Sequence, residues 1–383
     1  MTPKALSCLA LTLGLLLGCR ASQGPSYSLP DSYGADQVER VIAAAQDDLQ
    51  SANNPGLAFA RLELAWRTAG LKGDARQSLD RARSEAAEAL LEELNRTQAP
   101  PAYYTRLIDA SLTRNLAVRA RIGKARAQLH RGNRMRAYRT IKGMDSEYPF
   151  HAERQASGRL LFDTGMSLAL DEGHYGLFFR YKSLAPEVLE YFTSNYYSGD
   201  WEKQVGLAES TPSSIWPDMD PKQCGPEAYS KLGELYADSR EFALAIQRHE
   251  DLIIYYGNSP LVRASRAAIP DLRLRSVQQA DHDRKPLELA REELTAWLKD
   301  YQGRDEATEL LVQQNLLHAL QQLAEHDRIV ARFYLTVKNA PGAEYHARRG
   351  LELAREGGDA EQIQQLQAML DKALKNSTPV AQP

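Results

Sequence analysis

Cysteine is scarce in this sequence, with three among 383 residues, at positions 8, 19 and 224, and no pair has the close spacing that holds zinc. A nucleophile elbow, a phosphate-loop glycine pattern and a His-Glu-x-x-His helix are also missing. The eight histidines are scattered. His326-Asp327 and Asp281-His282-Asp283 are runs of neighbours whose side chains point in different directions and read as surface residues. Asp218 and Asp220 supply two carboxylates where calcium takes roughly six or more oxygens. No catalytic residue, metal site or cofactor is therefore expected. A formal net charge of −3 gives no overall attraction to nucleic acid. Sustained period-two alternation is hard to find, which argues against a sheet protein.

The apolar run from Ala5 to Leu17, behind a start whose only charged side chain is Lys4, has the layout of an export signal. Its thirteen residues fall short of the roughly twenty that cross a bilayer, so residues 1–18 are expected to be cleaved. The run ends in Leu16-Leu17-Gly18-Cys19, which resembles the lipobox of bacterial lipoproteins. That resemblance implies acyl chains on Cys19, a membrane attachment made effectively permanent by their burial, and, because Arg20 stands where an aspartate would signal retention, the outer membrane facing the periplasm. With Cys8 removed and Cys19 acylated, Cys224 has no partner, so apolar burial must hold the fold. Residues 19–35, rich in Ser, Gly, Pro and Tyr, read as a flexible tether, and the tail 375–383 as disordered.

After Asp36 the apolar residues recur at three- and four-residue spacing. Breaks at Asn53-Asn54-Pro55, Gly73-Asp74, Pro100-Pro101, Gly132-Asn133, Tyr148-Pro149, Gly257-Asn258 and Gly342 divide the chain into helices of mostly about 12 to 22 residues. The pattern predicts an all-α protein: a right-handed α-solenoid of tetratricopeptide-like hairpins with an additional helical block at 36–111. The clearest repeat combines Tyr229, Leu232, Gly233 and Tyr236 with Ala245 on a second helix. Small residues at Gly233 and Ala245 allow two helices to approach while the larger ones fill the groove beside them. A second copy spans Val118 to Pro149, within a repeat region at 112–172, with Ala125, Ala137, Ile141 and Met144 at packing positions. Looser copies occupy 225–374. Between them, the insert 173–224 concentrates aromatic residues, as a small core of its own or as a peptide groove.

Between Asp109 and Asp145 there is no acidic residue, while ten arginines and lysines, from Arg114 to Lys142, fall there. Either they pair with the acidic helix at Glu85, Glu88, Glu92 and Glu93, or Arg131, Arg134, Arg136 and Arg139 present a face to an anionic partner such as a cell-wall polymer.

Leu323-Ala324-Glu325-His326, Val330-Ala331, Phe333-Tyr334, Gly342-Ala343 and the arginines 348 and 349 resemble the BamD family of lipoproteins, which help assemble outer-membrane β-barrels. Tyr255, Tyr256, Ser259-Pro260 and Arg273 look like the preceding repeat junction of that family. The family is shorter and lacks the 36–111 block and the 173–224 insert. The resemblance implies a non-catalytic scaffold whose C-terminal repeats, near Arg348 or Arg349, bind a β-barrel assembly subunit, and whose N-terminal repeats hold unfolded outer-membrane protein segments.

Overall fold

The computed structural model describes residues 26–110, 112–175, 179–196, 223–277 and 283–377. The expected signal peptide, Cys19, Asp218, Asp220, Asp281, His282, much of the aromatic insert and the end of the tail lie outside the described residues. The described residues form two compact units, one up to Asp171 and one from Glu172 onward.

The first unit contains α1 (Val38–Gln50), α2 (Pro55–Thr68), α3 (Gly73–Arg96), α4 (Pro101–Asp109), α5 (Arg114–His130), α6 (Arg134–Glu147) and α7 (Arg154–Ala169). Their starts follow from sequence. Asn54 accepts from the Leu57 amide at 3.0 Å and Thr113 from that of Leu116 at 3.3 Å, so each satisfies an amide that the first turn leaves without a helical partner. Gly73, at φ +62°, opens α3 in the left-handed region that favours glycine. Each helix packs on the next, and α1 on α3, α3 on α5 and α5 on α7, the neighbour pattern of stacked hairpins. One apolar cluster runs from Val38 through Leu62, Leu91 and Leu107 to Leu116, Ala120 and Ala127. The 36–111 block therefore shares its core with the first repeat and is not a domain apart.

The buried Arg83 joins this core to its polar surroundings. Its guanidinium pairs with Glu63, donates to the Ala110 carbonyl and lies 4.3 Å from the Trp66 ring centre, which Arg76 also approaches at 3.9 Å. Residues 26–34 of the expected tether lie against this unit. The Tyr33 amide donates to Thr68 Oγ1 at 3.0 Å, and Tyr33 packs on the apolar cluster.

The second unit begins with a short antiparallel pair, β1 (His174–Tyr175) and β2 (Phe179–Arg180), followed by α8 (Ala185–Tyr196). It continues with α9 (Cys224–Asp238), α10 (Phe242–Tyr255), α11 (Leu261–Ser276), α12 (Lys285–Tyr301), α13 (Glu306–Thr336), α14 (Ala340–Gly357) and α15 (Ala360–Ser377). The same packing order recurs: each helix meets its successor, and α9 meets α11, α11 meets α13 and α13 meets α15. The protein is all-α, its helices stacked as solenoid hairpins within each unit. Phe192 and Tyr196 on α8 are buried and stacked on one another, so these two aromatics of the insert serve packing. No helix among the described residues is long and apolar enough to cross a membrane.

The tetratricopeptide-like pair falls where expected. Tyr229 and Leu232 on α9 and Ala245 on α10 are buried. Gly233, however, makes room for His249: a Cβ there would lie 2.5 Å from the imidazole Nε2. The close approach at this crossing is filled by a buried histidine that also reaches Ser265 Oγ at 3.2 Å. Tyr236 is half-buried and packs against the cluster of Ala237, Ala245 and Leu272, while its hydroxyl donates to Glu190 at 2.9 Å.

Candidate functional site

The segment with the strongest sequence signal, 323–351, forms the end of α13 and the start of α14. Gly342, read as a break, lies inside the first turn of α14. The break is at Val337–Asn339, where Lys338 takes φ +60° and the Asn339 side chain caps α14 by accepting from the Gly342 amide at 3.0 Å. Glycine is needed at 342 for space, since a Cβ would come within 2.9 Å of the Tyr334 ring. Ala343, fully buried beside it, completes the small pair.

Beneath this turn, Asp327 has no solvent exposure and gathers three cationic or ionisable groups. Arg284 Nη1 lies at 2.9 Å, His346 Nδ1 at 2.8 Å, and Arg349 reaches it with Nε at 3.0 Å and Nη2 at 2.6 Å. Burial pushes the carboxyl's pKa up, but hydrogen bonds from Arg349 and His346 and the charges of Arg284 and Arg349 outweigh that, leaving it below the ordinary carboxylate range. Gly350 lets α14 close on α13, because a Cβ there would meet Asp327 Cβ at 3.0 Å. His346 transmits this order outward: its ring stacks on Tyr334 at 5.6 Å and meets Tyr345 edge-on at 5.1 Å. Arg349 lies 5.3 Å from the Tyr345 ring centre.

On the solvent side stand Phe333, Val337 and Tyr345, each more than half exposed (58%, 53% and 59%). Phe333 lies in the last turn of α13 and Val337 is its C-cap, and Phe333 packs edge-on against Tyr334 at 5.5 Å. Exposed Arg332 and Lys338 adjoin them, and Arg348, one turn after Tyr345, is exposed with an ion pair to Glu344 at 2.8 Å. Exposed aromatic side chains on the two helices, Phe333 and Tyr345, are thus linked through Tyr334 and His346 to the buried ionic base, with Val337, Arg332, Lys338 and the Arg348–Glu344 pair exposed on the same turn segment. Exposed apolar clusters with polar rims are characteristic of protein interaction surfaces.

The two arginines singled out by sequence thus separate. Arg348 faces solvent, whereas Arg349 is committed to Asp327. The Asp327 centre itself was missed: His326-Asp327 reads as a surface pair, but the carboxylate's histidine partner is His346, on the next helix. The available signal was a carboxylate on an otherwise apolar helical face, at 320, 323, 324, 327 and 331.

The basic segment also separates. Arg119 pairs with Glu88, Arg121 with Glu147 at 2.6 Å and Arg134 with Asp171 at 2.6 Å, while Arg131 points Nη1 at the Ala99 carbonyl from 3.4 Å. Of the four acidic residues proposed as partners, Glu88 is matched this way, and Glu93 pairs instead with Arg96 at 2.5 Å. Arg136 and Arg139, one turn apart on α6, are exposed and make no ion pair among the described residues. No group of three or more His, Cys, Asp or Glu side chains among the described residues is arranged to hold a metal ion.

Helix-on-helix stacking within each unit defines the class, an all-α repeat protein. No family model matches the chain, and no curated protein matches it. Among solved structures, a circular tandem repeat protein with novel repeat topology and enhanced subunit contact surfaces aligns over 89% of each chain, with 13% identity and a TM-score of 0.22. That score is too low to bear on fold or function.

Proposed function

We propose that this chain is a non-catalytic scaffold, anchored to the outer membrane through Cys19 and facing the periplasm, that binds a component of the β-barrel assembly machinery. The observation that carries this reading is the patch of Phe333, Val337, Tyr345 and Arg348, exposed on a turn that Asp327 fixes from beneath. A surface organised before binding loses less conformational freedom on association, which suits a stable interface. Its mix of exposed aromatics and arginine is the composition in which binding energy concentrates. The lipobox and the family resemblance supply the membrane and the partner.

Purification from native membranes in mild detergent, followed by identification of the co-purifying proteins, tests the reading. A barrel-assembly subunit retained at high salt and lost in Arg348→Glu with Phe333→Ala supports it. Arg349 is left unchanged because its substitution would strip Asp327 and disturb the fold. A second reading rests on Arg136 and Arg139: their unpaired charges suit an anionic envelope polymer. Recovery of such material alone, released by salt as exposed charge contacts are, would favour that reading.

A further inference from the structure

Residues 26–34 mark which end of the first unit lies nearest to the start of the chain. The Tyr27 hydroxyl sits directly against Gly56, the second residue of α2, and the Tyr33 amide donates to Oγ1 of Thr68, its last residue. The segment therefore runs along α2, and its N-terminal end lies where α2 starts. Three turns meet at that end. Tyr27 lines a cavity of about 410 Å³ together with Asn53 of the α1–α2 turn, Ala99 of the α3–α4 turn and Arg131 of the α5–α6 turn. Arg131 also points Nη1 at the Ala99 carbonyl from 3.4 Å. Ser26 follows Cys19 by seven residues, a stretch that spans at most about 25 Å when fully extended.

What this end offers is positive charge at the α5–α6 turn and the first turns of α6. Arg131, Arg136 and Arg139 are exposed and make no ion pair among the described residues, while Arg134 pairs with Asp171 at 2.6 Å. The neighbouring helix ends carry exposed acids, Asp47 on α1 and Glu92 on α3, so the positive surface is confined to this one turn. A guanidinium meets phosphate oxygens with two parallel donors, and basic residues held close to an anionic bilayer are drawn to it over about a Debye length, ~10 Å. We propose that the α5–α6 turn is a membrane-contact site, with Arg131, Arg136 and Arg139 against the phosphates of anionic phospholipids, and that this contact turns the α1–α2 end of the first unit toward the bilayer. The proposal rests on the reading of Cys19 as the lipid anchor. The short reach from Cys19 to Ser26 is what favours a phospholipid surface over a wall polymer for these arginines.

The test uses the full lipidated chain in vesicles of phosphatidylcholine, with or without phosphatidylglycerol. A fluorophore is attached at Asn133→Cys or, at the far end of α6, at Phe150→Cys; both positions are exposed and the native Cys224 is buried. A nitroxide on the lipid headgroups reports proximity by quenching. Quenching at 133 is expected to exceed that at 150 by at least about twofold in the anionic vesicles, and to fall to the level at 150 in neutral vesicles, at high salt and in Arg131→Glu with Arg136→Glu, as screened surface contacts do. Circular dichroism monitors folding, and Arg136→Glu with Arg139→Glu takes the place of that variant if it does not fold. Flotation with the vesicles reads the anchor separately: a chain that does not float removes the anchor reading and the proposal with it. Equal quenching at the two labels, or at 133 in neutral and anionic vesicles, in a chain that floats overturns the membrane contact alone. Preferential binding of the turn to sedimenting cell-wall sacculi also overturns it, in favour of the polymer reading.

Discussion

Removing the Asp327 carboxylate would leave the guanidiniums of Arg284 and Arg349 and the His346 imidazole facing one another. Breaking a buried ionic group by deleting one partner is expensive because the rest stay desolvated. Arg349 is about a third exposed and can rehydrate, so Asp327→Ala is expected to cost about 3 kcal/mol, at the low end of the range for such sites, measured by urea unfolding. His249 gives a pH dependence. Burial lowers its pKa, with Gly233 against its ring, Ser265 at Nδ1 and Glu234 contributing an opposing field. The unfolded chain then binds the proton more readily than the folded one. Stability is expected to decline as pH falls below about 6.5, the unfolded value, until the folded pKa is passed, and His249→Gln should remove this part of the slope. Asp327 acts lower on the scale: its depressed pKa gives stability that is full above about 4 and lost as pH falls through the folded value.

Among the elements, helices built on spacing and small residues were legible. Ala125, Ala137, Ile141 and Met144 are all buried as the repeat pattern requires, and so are Tyr229, Leu232 and Ala245. Less legible were the helix ends around 340, where glycine marks a break in sequence but in the fold serves to admit Tyr334. The pair Arg348-Arg349 could not be divided from sequence, because adjacent residues on a helix differ by about 100° in direction and only the position of α13 tells which one faces inward. Within residues 26–34, Tyr27 and Tyr33 are half-buried, contacts that the surrounding Ser, Pro and Gly do not announce in sequence. The cap at Asn339 offers an element-scale test. Asn339→Ala leaves the Gly342 amide without its acceptor and is expected to cost about 1 kcal/mol in thermal or urea unfolding. It should also loosen the turn that holds Tyr334 and Tyr345, seen as faster amide exchange in the first turn of α14.

At the scale of the molecule, apolar burial supplemented by buried ionic groups such as that of Asp327 holds the two units, with no disulfide among the described residues. Cys224 is free and buried, and on the proposed reading, in which Cys8 is cleaved off and Cys19 acylated, no cysteine is left to pair with it. The melting temperature is therefore expected to be the same with and without reductant, and Cys224 should react with a thiol reagent only after unfolding; a drop of several degrees on reduction would contradict this. Continuity of the first core across Leu107 and Leu116 means that the additional helices extend the stack. The central claim concerns the surface at the other end of the chain, and the most direct measurement is photocrosslinking in native membranes from a reactive amino acid placed at Tyr345, with Arg136 as the comparison position. The account predicts an adduct from position 345 with a β-barrel assembly protein that survives high salt. Silence at 345, with salt-sensitive envelope polymer captured from 136, would contradict it.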